Sequence, residues 1–319
     1  MLTEDDWRNL TIELMRLPSK RTRQTRIGAS DLADNCDRCL AMKMRGHNRP
    51  SPQADRPWMG AEWGTAGHLL MQERIDSLVN DSDDLTPTER QILRQTIGLP
   101  EDTRTERHIK VADLRGYGPV FGHIDVDMPD EIGDWKGSTR VKSAFLHDYL
   151  VSFRGGEPRW VKQNDTKAYE GGYKLKLDST TTAQVSKRAY DEKMAGMVAK
   201  MDGYFGQQTM YQHGRELEGR PVKRGSIIWL NRDGNGYFDD PASNRYNDPN
   251  AHHDVWVMSF DYHPDHARHL ITRAENIWAQ LEAGAAFKDF EQAEKCWPCS
   301  FEEKEPAFAD IEVTLATAA

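Results

Sequence analysis

The sequence has few cysteines: four in 319 residues, placed as Cys36-x-x-Cys39 and Cys296-x-x-Cys299. That scarcity excludes a densely disulfide-stapled scaffold. It also lacks any apolar run near the roughly 20 residues that span a bilayer, so no membrane partner is expected. Residues 1–10 carry acidic side chains where a signal peptide would be basic and then greasy. The expected location is therefore cytoplasmic, meaning the host cytosol if the chain is phage-encoded. An excess of positive charge is missing too. The net charge of -9 counts against nonspecific nucleic-acid binding through overall charge, because phosphate contacts need Lys and Arg. Internal repeats and long low-complexity segments are absent.

An apolar content of 38% with nine Trp is enough for a substantial core, and the length permits one elaborated domain or two small ones. Charge is unevenly spread. Arg16, Lys20, Arg21, Arg23, Arg26, Arg38, Lys43, Arg45 and Arg49 make the first fifty residues basic, whereas 81–84 and 302–312 are acidic. A basic run of this kind is either a solvated face or a contact surface.

The spacing of the cysteines restricts their chemistry. A two-residue gap lets two thiolates turn toward one ion, so two distant pairs can close a four-sulfur metal site. Two disulfides and four unrelated buried thiols are the alternatives.

Periodicity predicts a helix over 29–44, with Ser30 as its N-cap, and a second over 61–78 with a stripe of Trp63, Ala66, Leu69, Leu70 and Ile75. A third, over 86–99, is capped by Thr86 and stopped by Gly98 and Pro100. Strands are expected over 106–111, 120–128 and 131–136 as a β-meander. Loops with a short hairpin fill 152–182. A long helix over 183–213, strands over 225–231 and 254–262, and a helix over 263–284 complete the chain.

Regular alternation would put Asp125 and Asp127 on one face of their strand, and Asp134 with Lys136 on one face of the next. Asp125 and Asp134 could then share Mg²⁺ or Mn²⁺ through oxygen ligands. Lys136 would face the same water, able to orient hydroxide or offset charge on the phosphorus. A solvent-facing hairpin is the alternative for such a group. Two further pairs surround it in the sequence. Gly64-x-x-x-His68 puts a small residue and an imidazole one helical turn apart, and Gln207-x-x-x-Tyr211 likewise shares one helix face, with a ring available for stacking.

The ordered set of His68, Gly122-His123-Ile124-Asp125, Asp134-Trp135-Lys136 and Gln207 to Tyr211 resembles the RecB-type nuclease domains of the PD-(D/E)XK superfamily. The resemblance implies that His68, Asp125, Asp134 and the backbone carbonyl of Trp135 are metal ligands, that Asp125, Asp134 and Lys136 are catalytic, and that Gln207 and Tyr211 contact DNA. Ser138 and Thr139 fall where that family often has a small hydroxyl residue, and Glu106 matches an acidic residue ahead of the Gly-x-Ile-Asp strand. The implied fold is an α/β restriction-endonuclease-like core, a mixed central sheet flanked by helices.

Relatives of the AddB type and the CRISPR-associated adaptation nucleases carry a [4Fe-4S] cluster that staples the ends of the core. By that resemblance Cys36, Cys39, Cys296 and Cys299 are cluster ligands, and Ala29-Ser30-x-Leu32 resembles the lead-in to the first. The two-plus-two distribution departs from the one-plus-three of those relatives and keeps Zn²⁺ as the alternative. The expected organisation is an N-terminal extension over 1–28, one nuclease domain over 29–301 with a helical insertion over about 61–105, and an acidic tail over 302–319. No G-x-x-x-x-G-K-[ST] phosphate loop is present, so unwinding would fall to a helicase or recombination partner.

The expected function is a metal-dependent DNA nuclease, most simply an exonuclease acting on single strands or duplex ends in recombination, repair or phage DNA processing. The alternatives are a noncatalytic DNA-binding or assembly protein with a nuclease-like fold, and a zinc-stapled protein-interaction module. A decayed nuclease would have lost Asp134 or Lys136, and both are present. Two other features are assigned to structure. His263, His266 and His269 read as an exposed polar face, and Asp233 to Gly236 as a turn. Trp160 beside Arg159 and Lys162 is either a stacking surface or the buried anchor of a loop.

Overall fold

The computed structural model describes residues 26–47, 59–80, 85–154, 157–163, 172–176, 182–231, 255–293, 296 and 299. The first helical segment is broken. Helix α1 spans Ala29–Leu32 and α2 spans Asp37–Met44. Gly28 rather than Ser30 caps α1, and Cys36 caps α2. Helices α3 (Met59–Val79) and α4 (Pro87–Ile97) follow. The α4 ends are those its sequence specifies: Thr86 Oγ1 accepts from the Glu89 N–H, and Gly98 closes the helix at φ 72°.

Strands β1 (Arg104–Leu114), β2 (Gly118–Asp127) and β3 (Glu131–Ser138) form the meander. Helix α5 (Arg140–Arg154), which the sequence reading leaves out, comes next. It is followed by the short strands β4 (Val161–Lys162), β5 (Tyr173–Lys176) and β6 (Thr182–Val185), where one hairpin is expected. Helix α6 (Lys187–Leu217), strands β7 (Arg224–Asn231) and β8 (Val255–Asp261), and helix α7 (Pro264–Glu282) complete the described elements, with a short 3-10 turn at Phe287–Asp289. Asp81 to Asp84, Asp233 to Gly236, the 302–312 segment and the basic residues ahead of Arg26 lie outside the described residues.

The main sheet has the order β1-β2-β3-β7-β8, with β3 parallel to β7 and the other pairs antiparallel; β4, β5 and β6 form a separate antiparallel sheet. Gly137 is paired with Leu230 and Ile132 with Gly225. Gly64 and Gly67 of α3 approach Gly137 and Leu230, whereas Gln208 of α6 approaches Gly225. Alternation puts those contacts on opposite faces, so helices cover both sides of a mixed sheet. The inward face of α3 is therefore its glycine face with His68 and Ile75. Leu69 and Leu70, expected in its buried stripe, are 59% and 47% exposed.

The largest cluster of buried side chains joins α1, α2, the meander, α6 and α7 through residues such as Leu32, Leu40, Ile109, Ile124, Met210 and Leu270. Among the described basic residues of this region, Lys43 and Arg45 serve this packing. Lys43 bonds Asp31 at 2.7 Å, and Arg45 donates to the Leu281 carbonyl at 2.8 Å. Trp160 is buried on Phe145, with its backbone N–H on Asp148, so it anchors a loop. His266 is half-buried against the Phe205 ring rather than exposed.

Helix α6 crosses the meander closely at Gly214, where an added Cβ would stand 2.9 Å from the Lys110 carbonyl oxygen and 3.1 Å from Ile109. The backbone carbonyl cannot move aside cheaply. Gly214→Ala should cost about 1–3 kcal/mol, seen as a lower urea midpoint with an unchanged slope.

Candidate active site and metal centres

The site forms where β2 and β3 part. Their pairing is confined to Val126 with Gly133 and Asp127 with Ile132. Beyond that point the Trp135 N–H donates to Asp125 Oδ2 at 2.8 Å instead of joining the ladder. Across β2, Glu106 is the one non-glycine residue with positive φ, at 45°, among the described residues. Such backbone is costly and needs its surroundings to hold it.

Asp125 and Asp127 do not share a face. The Asp127 carboxylate is buried between Arg107 and Arg215, a structural ion network reaching α6. Asp125 instead meets α3, with its Oδ2 3.2 Å from His68 Nδ1. Irregular backbone at Glu106 accompanies this break in the alternation that the sequence predicts. Donor atoms of His68, Glu106 and Asp125 all lie within 4.8 Å of one another.

Asp134 stands beside this trio rather than in it, with its Oδ2 2.5 Å from Lys136 Nζ. Burial, and then the Asp134 charge, push Asp125 up to about 8. Burial and the Lys136 charge push His68 below its ordinary value, which favours a neutral imidazole able to offer a lone pair. Lys136 is held above its ordinary value, since the Asp134 carboxylate outweighs burial.

The Gln207 Nε2 donates to Tyr211 Oη at 3.0 Å, so these side chains share a helix face as expected. The Tyr211 ring, however, is buried against Gly122, where a Cβ would come within 2.6 Å of it. Glycine in the Gly-x-Ile-Asp run is what admits the ring, and a ring so enclosed does not stack on a base. Ser138 is buried and accepts from Ser143 Oγ at 3.1 Å, while Thr139 Oγ1 accepts from the Lys142 N–H. Both residues thus start α5.

Lys136 belongs to a lysine group next to this site whose other members, Lys142 and Lys200, carry no motif in the sequence. Lys136 and Lys200 lie 5.7 and 5.6 Å from the centre of the Tyr204 ring. Burial, and then Lys142 and Lys136, push Lys200 down to about 7. The sequence signal for this group is the four-residue interval between Lys200 and Tyr204 on one face of α6, too common to read.

The four cysteines converge between α2 and the chain after α7. Sulfur separations are 3.6 Å for Cys36 with Cys299, and 3.4 Å for Cys39 with Cys296 and with Cys299. All four sulfurs lie within 4.8 Å of one another. The four sulfurs therefore form one donor set, able to hold a single ion or an iron–sulfur cluster.

No protein-family model matches this chain, and no curated protein matches it. Among solved structures it is similar to a provisionally named exonuclease from Eubacterium rectale, with 10% identity, a TM-score of 0.39 and coverage of 94% of this chain and 93% of that one. A phage-related exonuclease from Haemophilus somnus 129PT has 13% identity, a TM-score of 0.33 and coverage of 81% and 95%. LHK-Exo in complex with dAMP has 11% identity, a TM-score of 0.32 and coverage of 89% and 95%.

Proposed function

We infer that this chain is a metal-dependent DNA nuclease, working as an exonuclease. The observation that carries the reading is the partly buried Asp125 carboxylate, held with His68 and Glu106 within 4.8 Å beside the Asp134–Lys136 pair. Two carboxylates and an imidazole suit a divalent cation such as Mn²⁺ or Mg²⁺. Asp125 also has reason to take one, because burial and Asp134 oppose its charge in the metal-free protein. A bound cation would supply Lewis acidity toward the phosphoryl oxygen and the attacking water.

Lys136 has a separate task. With Asp134 favouring its protonated form, it is an ammonium and not a base, so it orients the nucleophile and offsets charge developing on phosphorus. Lys142 and Lys200 add positive charge on the α5–α6 side, where their mutual repulsion would be relieved by a phosphate. That local concentration answers the net charge of -9: the grip on DNA is local rather than global. Gln207 and the Tyr211 hydroxyl stay at the margin of the site as polar contacts to the backbone. At the cysteines we propose a structural metal centre, an iron–sulfur cluster or a zinc ion, which ties α2 to the segment after α7.

Lys136→Ala should lower the cleavage rate on labelled DNA about a hundredfold or more in Mg²⁺ or Mn²⁺. Equal cleavage by wild type and variant would remove the active-site assignment. Protein purified without oxygen should carry metal at the cysteines: a brown iron chromophore lost in Cys39→Ala identifies the cluster, and a colourless protein with stoichiometric zinc identifies the ion. The metal-free protein should also respond to pH. A folded-state value near 8 for Asp125, above the ordinary carboxylate range, means that the folded chain binds a proton the unfolded chain releases. Its stabilising contribution is full below pH about 4 and is lost as pH rises through about 8. Asp125→Asn should therefore melt above wild type at pH 8 without metal, and should lose the rise in Tm that Mn²⁺ gives wild type.

A further inference from the structure

A row of rings leads away from the site along the β1–β2 ribbon. Gly122 and Ile124 turn into the core beneath α6, so Phe121, His123 and Asp125 alternate onto the other face. The register pairs His108 with His123 and Lys110 with Phe121, which adds His108 and Lys110 to that face. The His108 ring stacks on Phe121 with centroids 4.7 Å apart and planes 16° apart, and it lies 4.9 Å from His123. Phe121 is nonetheless 38% exposed, and His123 is exposed. The row ends at Glu106 and Asp125. Successive rows on one strand face are about 7 Å apart, so His123 stands one step from the carboxylates and Phe121 two.

A cross-strand aromatic pair can stabilise a hairpin by itself. Here three adjoining rings stay exposed on the strand face that carries Asp125. That is the arrangement of a base-stacking platform, in which any base offers its face to a ring. Bases within a duplex are already stacked on one another, so only an unpaired strand presents free faces.

We propose that Phe121, His108 and His123 form a stacking platform that holds the unpaired bases of a single DNA strand next to the site, with Lys110 beside its backbone. The proposal rests on the nuclease reading for the strand's destination, but its test does not require cleavage. Binding of a fluorescein-labelled single-stranded oligodeoxynucleotide and of its blunt duplex is measured by anisotropy on the full chain, with Ca²⁺ replacing Mg²⁺ to prevent turnover. Phe121→Ala and His123→Ala should each weaken single-strand binding about tenfold, with little change for the duplex, and Phe121→Tyr should restore it. A 2-aminopurine in the strand should be quenched on binding wild type and not on binding Phe121→Ala. Single-strand affinity unchanged in both alanine variants overturns the platform. Equal loss for duplex and single strand overturns the assignment to unpaired bases. If wild type cleaves nothing while these losses appear, the nuclease reading fails and the platform stands.

Discussion

The hydrogen bond from the Trp135 N–H to Asp125 is the contact on which the site depends. It takes the place of a ladder bond at the point where β2 and β3 separate. A backbone donor that would be orphaned at the split is satisfied by a carboxylate, and the carboxylate is thereby fixed in a partly buried position. From there Asp125 reaches His68 on α3 and lies close enough to Asp134 to feel its charge. Had the ladder continued regularly, Asp125 and Asp127 would have shared a face.

The glycines decide how closely the two covering helices approach. On one side Gly64 and Gly67 bring α3 onto Gly137 and Leu230, and on the other Gly206 and Gly214 let α6 settle on Ala33 and on β1. The imidazole of His68 is therefore delivered by backbone proximity rather than by a large apolar stripe, which is why Leu69 and Leu70 are free to face outward. The same tight packing at Gly122 encloses Tyr211. Its hydroxyl is kept near the site while its ring becomes core.

Much of the architecture is legible in the sequence because it is locally encoded. Thr86, Glu89 and Gly98 define α4 by capping chemistry, and the three meander strands follow their alternation to within a few residues. Helix α5 escapes such a reading because its start is set by Ser138 and Thr139 at the end of a strand, and its apolar face is finished by Trp160 and Leu175 from later in the chain. The break between α1 and α2 is hidden in an unbroken run of helix-compatible residues. Cys36 turns out as an N-cap because its sulfur must meet Cys299, 263 residues away.

By itself the sequence determined the meander and most of the helices around it, the presence of His68, Asp125, Asp134 and Lys136 in that order, and the pairing of cysteines at the two ends. Only the tertiary structure decided which of these groups meet. It put Glu106 with His68 and Asp125, set Asp134 on Lys136, removed Asp127 into an arginine network, and brought four sulfurs within 4.8 Å of one another. The physical reason is that spacing along a strand or helix fixes a side chain's direction only while the backbone stays regular. At the Glu106 bend and the β2–β3 split that regularity ends, and long-range hydrogen bonds and packing take over.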